Sequence, residues 1–301
     1  MNSFKKRILS RTGKKYIFLA VMLFIPIVHF IVFWGVVNFN AILYAFQRLN
    51  PATKQRYFTL ENFKTVFVLL GKSGELARAL GNTMLTWAFL TVFLLPWAFF
   101  LTYFLYKRIR LGGVWRTMLF IPTLLPAVAM TSIFIYLISP LAPAGKLATA
   151  LTGRAMAFLA DDKYAKWTVI FYIFLTNFGG QFMLLSGAMG RVPNEVIESA
   201  RIDGAGMRVE ILKIVFPLCW PTVSMLLLLN TASLFTATGP ILLLTKGGYE
   251  TKTISYWIFE QTYDKSYYIP SALGLVCTLI LFPIVLLVRR GLSKIYADVE
   301  F

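Results

Sequence analysis

Side chains that could carry chemistry are sparse in this sequence, and most of them gather in one place. Between Pro193 and Pro217 stand Glu195, Glu198, Arg201, Asp203, Arg208 and Lys213, with Gly204 and Gly206 among them. Carboxylates and cations around a glycine turn make a contact surface rather than a reaction centre, because no nucleophile–base pair or metal-type spacing accompanies them. The usual reactive types are no better placed elsewhere. Cys219 and Cys277 are far apart and lie in or beside apolar runs, which makes them packing residues. The lone histidine, His29, lies inside the first apolar run; a neutral, hydrogen-bonded packing role outweighs a proton-relay role there. Lys14, Lys72 and Lys146 each follow a single glycine but lack the G-x-x-x-x-G-K-[ST] cradle for nucleotide phosphate. A non-catalytic chain with no metal site and no cofactor of its own is expected.

Around that cluster the chain is built for lipid. Charged residues make up 14% of the sequence and hydrophobic ones 58%, whereas a soluble domain carries about 25% charged residues. The formal net charge of +17 does not point to nucleic acid, because the cations are confined to short segments between apolar runs and no aromatic-interleaved basic domain is present. Six runs are long enough to cross a bilayer as helix, which takes about 20 apolar residues. They are Tyr16–Val37, Asn82–Leu105, Met118–Ile138, Trp167–Met189, Leu218–Leu244 and Ile269–Val288, and none holds Lys, Arg, Asp or Glu. Backbone polarity must be satisfied inside each span, so the expected fold class is an all-α membrane bundle.

Topology follows from the cations. Lys5, Lys6, Arg7, Arg11, Lys14 and Lys15 precede the first run, which is too long for a cleaved signal and reads as an anchor. The second connection carries Lys107, Arg108, Arg110 and Arg116, the fourth Arg191, Arg201, Arg208 and Lys213, and the tail Arg289, Arg290 and Lys294. Denser positives mark the cytoplasmic side, so both termini and the loop holding Glu198 are expected inside. The connection from Asn38 to Gly81 also holds six positives and reads as a folded external segment. The expected plan is a basic tail over 1–15, a membrane domain over 16–290 with a loop at 190–217, and a cytoplasmic tail over 291–301.

In that loop Pro193-Asn194 ends the preceding span and starts a helix with Asn194 as N-cap, placing Glu195 and Glu198 near its positive end. Gly204 and Gly206 allow the positive φ of a sharp turn, and a second short helix runs from Met207 until Pro217 opens the next span. Two short helices joined by a glycine turn form either a knob that enters a groove on a soluble partner or an amphipathic connector on the lipid surface. Polar residues also gather inside two spans: Thr176, Asn177, Gly179, Gly180 and Gln181 in the fourth, and Asn230, Thr231, Ser233, Thr236 and Thr238 before a break expected at Gly239-Pro240 in the fifth. Asn177, Gln181, Asn230, Thr231 and Ser233 are the candidate substrate-pathway residues, with interhelical hydrogen bonding as the competing use of the same groups.

The run Glu198-Ser199-Ala200, two residues, Asp203-Gly204-Ala205, eight residues, then Ile214 and Pro217, resembles the "EAA" loop of bacterial ABC-importer permeases. Ser199 replaces an alanine of that pattern. Leu244-Thr245-Lys246-Gly247-Gly248 with Thr251 and Thr253 is similar to the T-x-G-G-P-x-x-x-T signature of the family's sugar branch, with Tyr249 in place of the proline. Asn82-Thr83, Arg116-Thr117 and Phe120-Ile121-Pro122 agree, so the resemblance runs from Asn82 to Arg290. Gly239 stands near a position where the branch often has aspartate.

The resemblance implies a six-helix type I importer permease in the bacterial inner membrane. It would translocate a sugar or oligosaccharide, driven by separate ATPase subunits that use the ATP and fed by an extracytoplasmic solute-binding protein. A second, usually non-identical permease would complete the membrane part. Glu198, Ser199, Ala200, Asp203, Gly204, Ala205, Ile214 and Pro217 would form the ATPase-coupling element between spans four and five. A self-sufficient channel or secondary carrier is the alternative, though its intramembrane carboxylates are missing. Within the importer class, a peptide or other small polar solute is the alternative cargo, and a homodimeric permease the alternative assembly.

Overall fold

The computed structural model describes residues 11–50, 52–71, 74–107, 109–153, 156–236 and 238–295. Lys5, Lys6 and Arg7 of the basic tail, Lys72, Arg108 and residues 296–301 of the C-terminal tail lie outside the described residues. Among the described residues, six helices are long and apolar enough to cross a membrane: Gly13–Ala45, Glu75–Tyr106, Ala127–Leu151, Ala165–Met189, Met207–Ala232 and Tyr268–Leu292. The chain is mostly helical with six candidate spans, as expected, apart from one short hairpin, but several span boundaries differ, and proline accounts for the main ones.

The third span was expected to run unbroken from Met118 to Ile138. It is two helices, Gly112–Leu124 and Ala127–Ile138, because Pro126 forces Leu125 into an extended conformation at ψ 140°. The fifth span starts earlier and ends earlier than expected. Helix runs without a break from Met207 to Ala232, through Pro217, and the chain turns at Ser233. Gly239-Pro240 is not the break: it opens a further short helix, Gly239–Leu244, where proline in the first turn has no intrahelical donor role to lose.

Pro96 and Pro217 are accommodated in the same way. Each lacks the N–H that should bond four residues back, and its ring crowds that carbonyl. In both spans a six-residue π-helical turn ends two residues earlier, over Phe89–Leu94 and Glu210–Val215. The wider turn relieves the clash and leaves carbonyls open to side chains.

Contacts divide the described residues between two units, bounded as Met1–Val66 with Lys265–Leu275 and Phe67–Asp264 with Val276–Phe301. In the first unit, the antiparallel pair Gln47–Leu49 and Arg56–Phe58 follows the first span. Asn62, fully buried, donates to the Ala45 and Gln47 carbonyls at 3.0 and 2.8 Å and ties the helix Glu61–Gly71 to that hairpin. The segment after Asn38 is thus folded, as its composition indicates. The first span's side chains are exposed almost throughout, which suits lipid. His29 is exposed too, its ring 4.7 Å from Phe33 one turn on, so the expectation of a packed, hydrogen-bonded histidine is replaced by an aromatic contact within the helix.

In the second unit the fourth span is the most buried of the six, with half of its apolar window covered. Leu94, Tyr103, Phe178, Leu185, Met189, Val215 and Val223 form the main core, drawn from the second, fourth and fifth spans. Cys219 lies in this core as a free, buried thiol, and Cys277 is likewise free and buried. At Gly179 the fourth span lies close against the third: a Cβ there would overlap the Thr123 hydroxyl and press on the Leu119 carbonyl. Gly179→Val should therefore cost roughly 1–3 kcal/mol through overpacking. A lowered melting temperature of the purified protein in detergent is expected, and an unchanged one contradicts the packing described.

Candidate functional site

The charged loop forms a compact turn whose hydrogen bonds explain its sequence. Helix covers Asn194–Ile202, with Glu195 in its first turn. Pro193 stands at the N-cap in place of the expected Asn194, whose side-chain oxygen instead accepts a 3.3 Å bond from the Tyr106 hydroxyl. At the other end Gly204 adopts φ +84°. Its N–H donates to the Arg201 carbonyl at 3.0 Å, and the Ala205 N–H donates to the Ala200 carbonyl at 2.9 Å. This is the paired pattern of a Schellman C-cap, which wants glycine at the left-handed position. Gly206, expected to share the positive φ, has φ −73° and starts the next helix. The Ser199 hydroxyl returns to the Val196 carbonyl at 3.1 Å, so serine replaces alanine there without needing a new partner. Glu198, Asp203 and Gly204 are exposed and Ala200, Ala205, Ile214 and Pro217 half-buried. Beside Asp203, Ile202 is 86% exposed.

Behind the loop lies a carboxylate that sequence reading passed over. Glu210, the first residue of the second π-turn, has a side chain only 3% exposed. Its two oxygens accept from Tyr103 Oη at 2.8 Å, Lys107 Nζ at 3.2 Å, and Arg201 Nε and Nη2 at 3.2 and 3.3 Å. The Lys107 ammonium also lies 4.9 Å over the Tyr103 ring. Hydrogen bonding to Glu210 raises the Arg201 guanidinium above its already high ordinary pKa. An open cleft of about 750 Å³ adjoins the group, lined by Tyr106, Lys107, Asn194, Glu198, Arg201 and Glu210 among others. Glu210 carries no sequence signal beyond a charge near a proline, because its three partners come from residues up to 107 positions away.

The polar patches in the spans are only partly assembled. Gln181 Nε2 donates to Asn230 Oδ1 at 3.4 Å, and Asn230 Nδ2 donates at 3.5 Å to the Leu90 carbonyl in the first π-turn. These two candidates meet. Asn177 is exposed and bonds back to the Ile173 carbonyl, Thr231 is buried and bonds back to Leu227, and Ser233 is exposed past the helix end. The second span adds residues that sequence reading missed: Trp87 Nε1 and Thr91 Oγ1 are buried without a hydrogen-bond partner among the described residues, as is Gln181 Oε1. Pro96, which sets the π-turn, was the available signal.

At the opposite end of the second span, two motifs far apart in sequence turn out to be partners. Asn82 donates to the Glu250 and Lys252 carbonyls at 2.6 and 2.8 Å, and the Thr83 hydroxyl accepts from the Ile254 N–H at 3.0 Å. Thr245 and Thr251 hydroxyls lie 2.6 Å apart, and Thr253 caps the helix Ile254–Tyr263. Lys252 Nζ bridges Glu75 at 2.5 Å and Glu260 at 2.6 Å. Burial pulls the Lys252 pKa down, but the bonds to Glu260 and Glu75 outweigh it and the net shift is upward. A raised lysine pKa means this contribution is complete at neutral pH and is lost only as pH climbs past the ordinary lysine range. Tyr249 has φ +52°, which proline, fixed near −65°, could not adopt; the departure from the branch signature thus accompanies a different loop course. Removing the clamp with Asn82→Ala should leave two carbonyls unsatisfied and free the loop. Faster tryptic cleavage after Lys246 and Lys252 is expected, and cleavage at the wild-type rate contradicts the clamp.

Comparison with known proteins agrees with this architecture. A family model described as binding-protein-dependent transport system inner membrane component matches residues 95–294. The multiple sugar-binding transport system permease protein MsmF of Streptococcus mutans serotype c is 24% identical over 276 residues, covering 90% of this chain and 93% of that protein. The sn-glycerol-3-phosphate transport system permease protein UgpA of Escherichia coli O6:K15:H31 is 27% identical over 263 residues, 82% of each chain. Among solved structures, a bacterial ABC transporter involved in import of the acidic polysaccharide alginate superposes with a TM-score of 0.83 at 21% identity, over 98% of this chain and 99% of that one. A second, the bacterial alginate ABC transporter in complex with alginate pentasaccharide-bound periplasmic protein, gives 0.82 at 21% identity, over 97% and 100% of the two chains. With its six apolar helices, the chain is a multi-pass protein of the inner membrane. It belongs to the family of binding-protein-dependent transport system inner membrane components.

Proposed function

We propose that this chain is one permease subunit of an ATP-binding-cassette importer for carbohydrate, and that its 190–217 loop is the element docked to the ATPase. The observation that carries the reading is the turn itself. A capped helix and a left-handed Gly204 present Glu198, Ile202 and Asp203 together to solvent between the fourth and fifth spans. In this reading the loop and both termini are cytoplasmic, in keeping with the cations Arg191, Arg201, Arg208 and Lys213 around the loop and Arg289 and Arg290 at the end of the last span. The domain plan is a basic tail over 1–15, the membrane domain over 16–290 and a tail over 291–301.

The chain itself is a membrane subunit without catalytic function; the ATP is consumed by separate ATPase subunits. A second permease, a different chain as in the sugar branch, and an extracytoplasmic binding protein complete the assembly. The relatives are named for sugars, a glycerol phosphate and an acidic polysaccharide. The Gln181–Asn230 pair offers uncharged amides, which suit hydroxyl-rich cargo, and Gln181 Oε1 retains an unused acceptor for such a hydroxyl.

Glu198→Arg reverses the charge at the docking face, and Gly204→Val forces a β-branched residue into a left-handed position at a cost of about 1–2 kcal/mol. In nanodiscs holding the assembled transporter, both variants should lose the ATPase subunits or the stimulation of their activity by loaded binding protein. Normal stimulated hydrolysis and uptake in both would remove the coupling role from this loop. Purification of the chain alone with ATP-independent solute movement would restore the carrier alternative.

A further inference from the structure

Resting on the coupling reading of the 190–217 loop, the geometry points to Glu210 as the positioning residue that carries movement of the loop helix into the second span. Three separate segments meet on this one carboxylate. Tyr103 and Lys107 belong to the end of the second span, Arg201 to the last turn of the loop helix Asn194–Ile202, and Glu210 to the start of the fifth span. Nothing else in the chain joins a charged group from each of these segments at hydrogen-bond distance among the described residues.

The energetics make the junction stiff. A carboxylate that is nearly fully buried is tolerated only while its charge is compensated and its lone pairs are filled. Here four donor atoms from three residues fill both oxygens, and two of those residues, Lys107 and Arg201, are cations. A shift of the loop helix relative to the second span would pull Arg201 away from a carboxylate still held by Tyr103 and Lys107. The lower-energy course is for the three segments to move as one. The π-turn contributes to this, since it begins at Glu210 and ends two residues before Pro217, so the carboxylate sits at the point where the fifth span changes winding. Arg201 is half-exposed at the adjoining cleft, which leaves it the member of the group reachable by a docked partner.

The test reads solute moved per ATP hydrolysed in the assembled transporter, with Gly204→Val as the comparison for the loop itself. Glu210→Gln keeps the size and removes the charge. It should leave the complex assembled and hydrolysing ATP while lowering transport per ATP roughly tenfold, which corresponds to about 1.4 kcal/mol of lost linkage. Glu210→Asp, which keeps the charge, should recover part of the ratio; a structural defect alone would not follow charge in this way. If Glu210→Gln fails to assemble, Tyr103→Phe removes one donor at constant volume and should lower the same ratio by a smaller factor. An unchanged ratio in the assembled Glu210 or Tyr103 variant, with Gly204→Val uncoupled, overturns the inference and leaves the loop reading intact. A proportional fall of hydrolysis and uptake assigns Glu210 to subunit assembly and also overturns it. Normal coupling in Gly204→Val as well removes the loop reading and the inference together.

Discussion

Inside a bilayer a backbone N–H or C=O has no water to bond, and the rest of this structure follows from that constraint. It makes each span a helix, and it calls for a local remedy at several of the prolines that interrupt the ladder. Pro126 is handled by ending one helix and starting another, Pro96 and Pro217 by π-turns, and Pro240 by placement in a helix's first turn. The two π-turns also create openings. The π-turn before Pro96 presents the Leu90 carbonyl to Asn230, and the one before Pro217 begins at Glu210, beneath the charged loop.

How far the sequence revealed this depends on the range of the interaction. The spans were legible because apolar runs and confined cations are local signals. So was the loop turn, since Gly204 and the Ala200–Ala205 spacing are set by one helix end. What escaped were interactions across long separations. Asn82 and Thr83 could be noticed as a motif, but their partners at 250–254 could not be read from either segment alone. The same holds for Glu210, whose meaning depends on Tyr103 and Lys107. Ser233 and Asn177 were plausible pathway residues by type, but exposure and backbone bonding separate them from Gln181 and Asn230. The misplaced break at Gly239 arose because Gly-Pro marks a helix start as readily as a helix end.

The second span joins the two ends of the proposed mechanism. Near its start it holds the loop at 250–254 through Asn82 and Thr83, and near its end it meets the charged loop through Tyr103 and Lys107. Between them lie the π-turn and the unpartnered Trp87 and Thr91. A helix gripped at both ends and loosened in the middle is suited to relaying displacement from one face of the membrane toward a polar site within it.

The central claim is that the 190–217 loop docks on an ATPase at the cytoplasmic face. The most direct measurement is site-specific cross-linking from Ile202→Cys in a background with Cys219 and Cys277 replaced by alanine, carried out on the assembled transporter. The account predicts a cross-link to the ATPase subunit that changes in yield when nucleotide binds, and no labelling of this position by an impermeant maleimide applied from outside the cell membrane. Labelling from outside, or a transport-active complex in which Ile202→Cys cross-links to no ATPase, would contradict it.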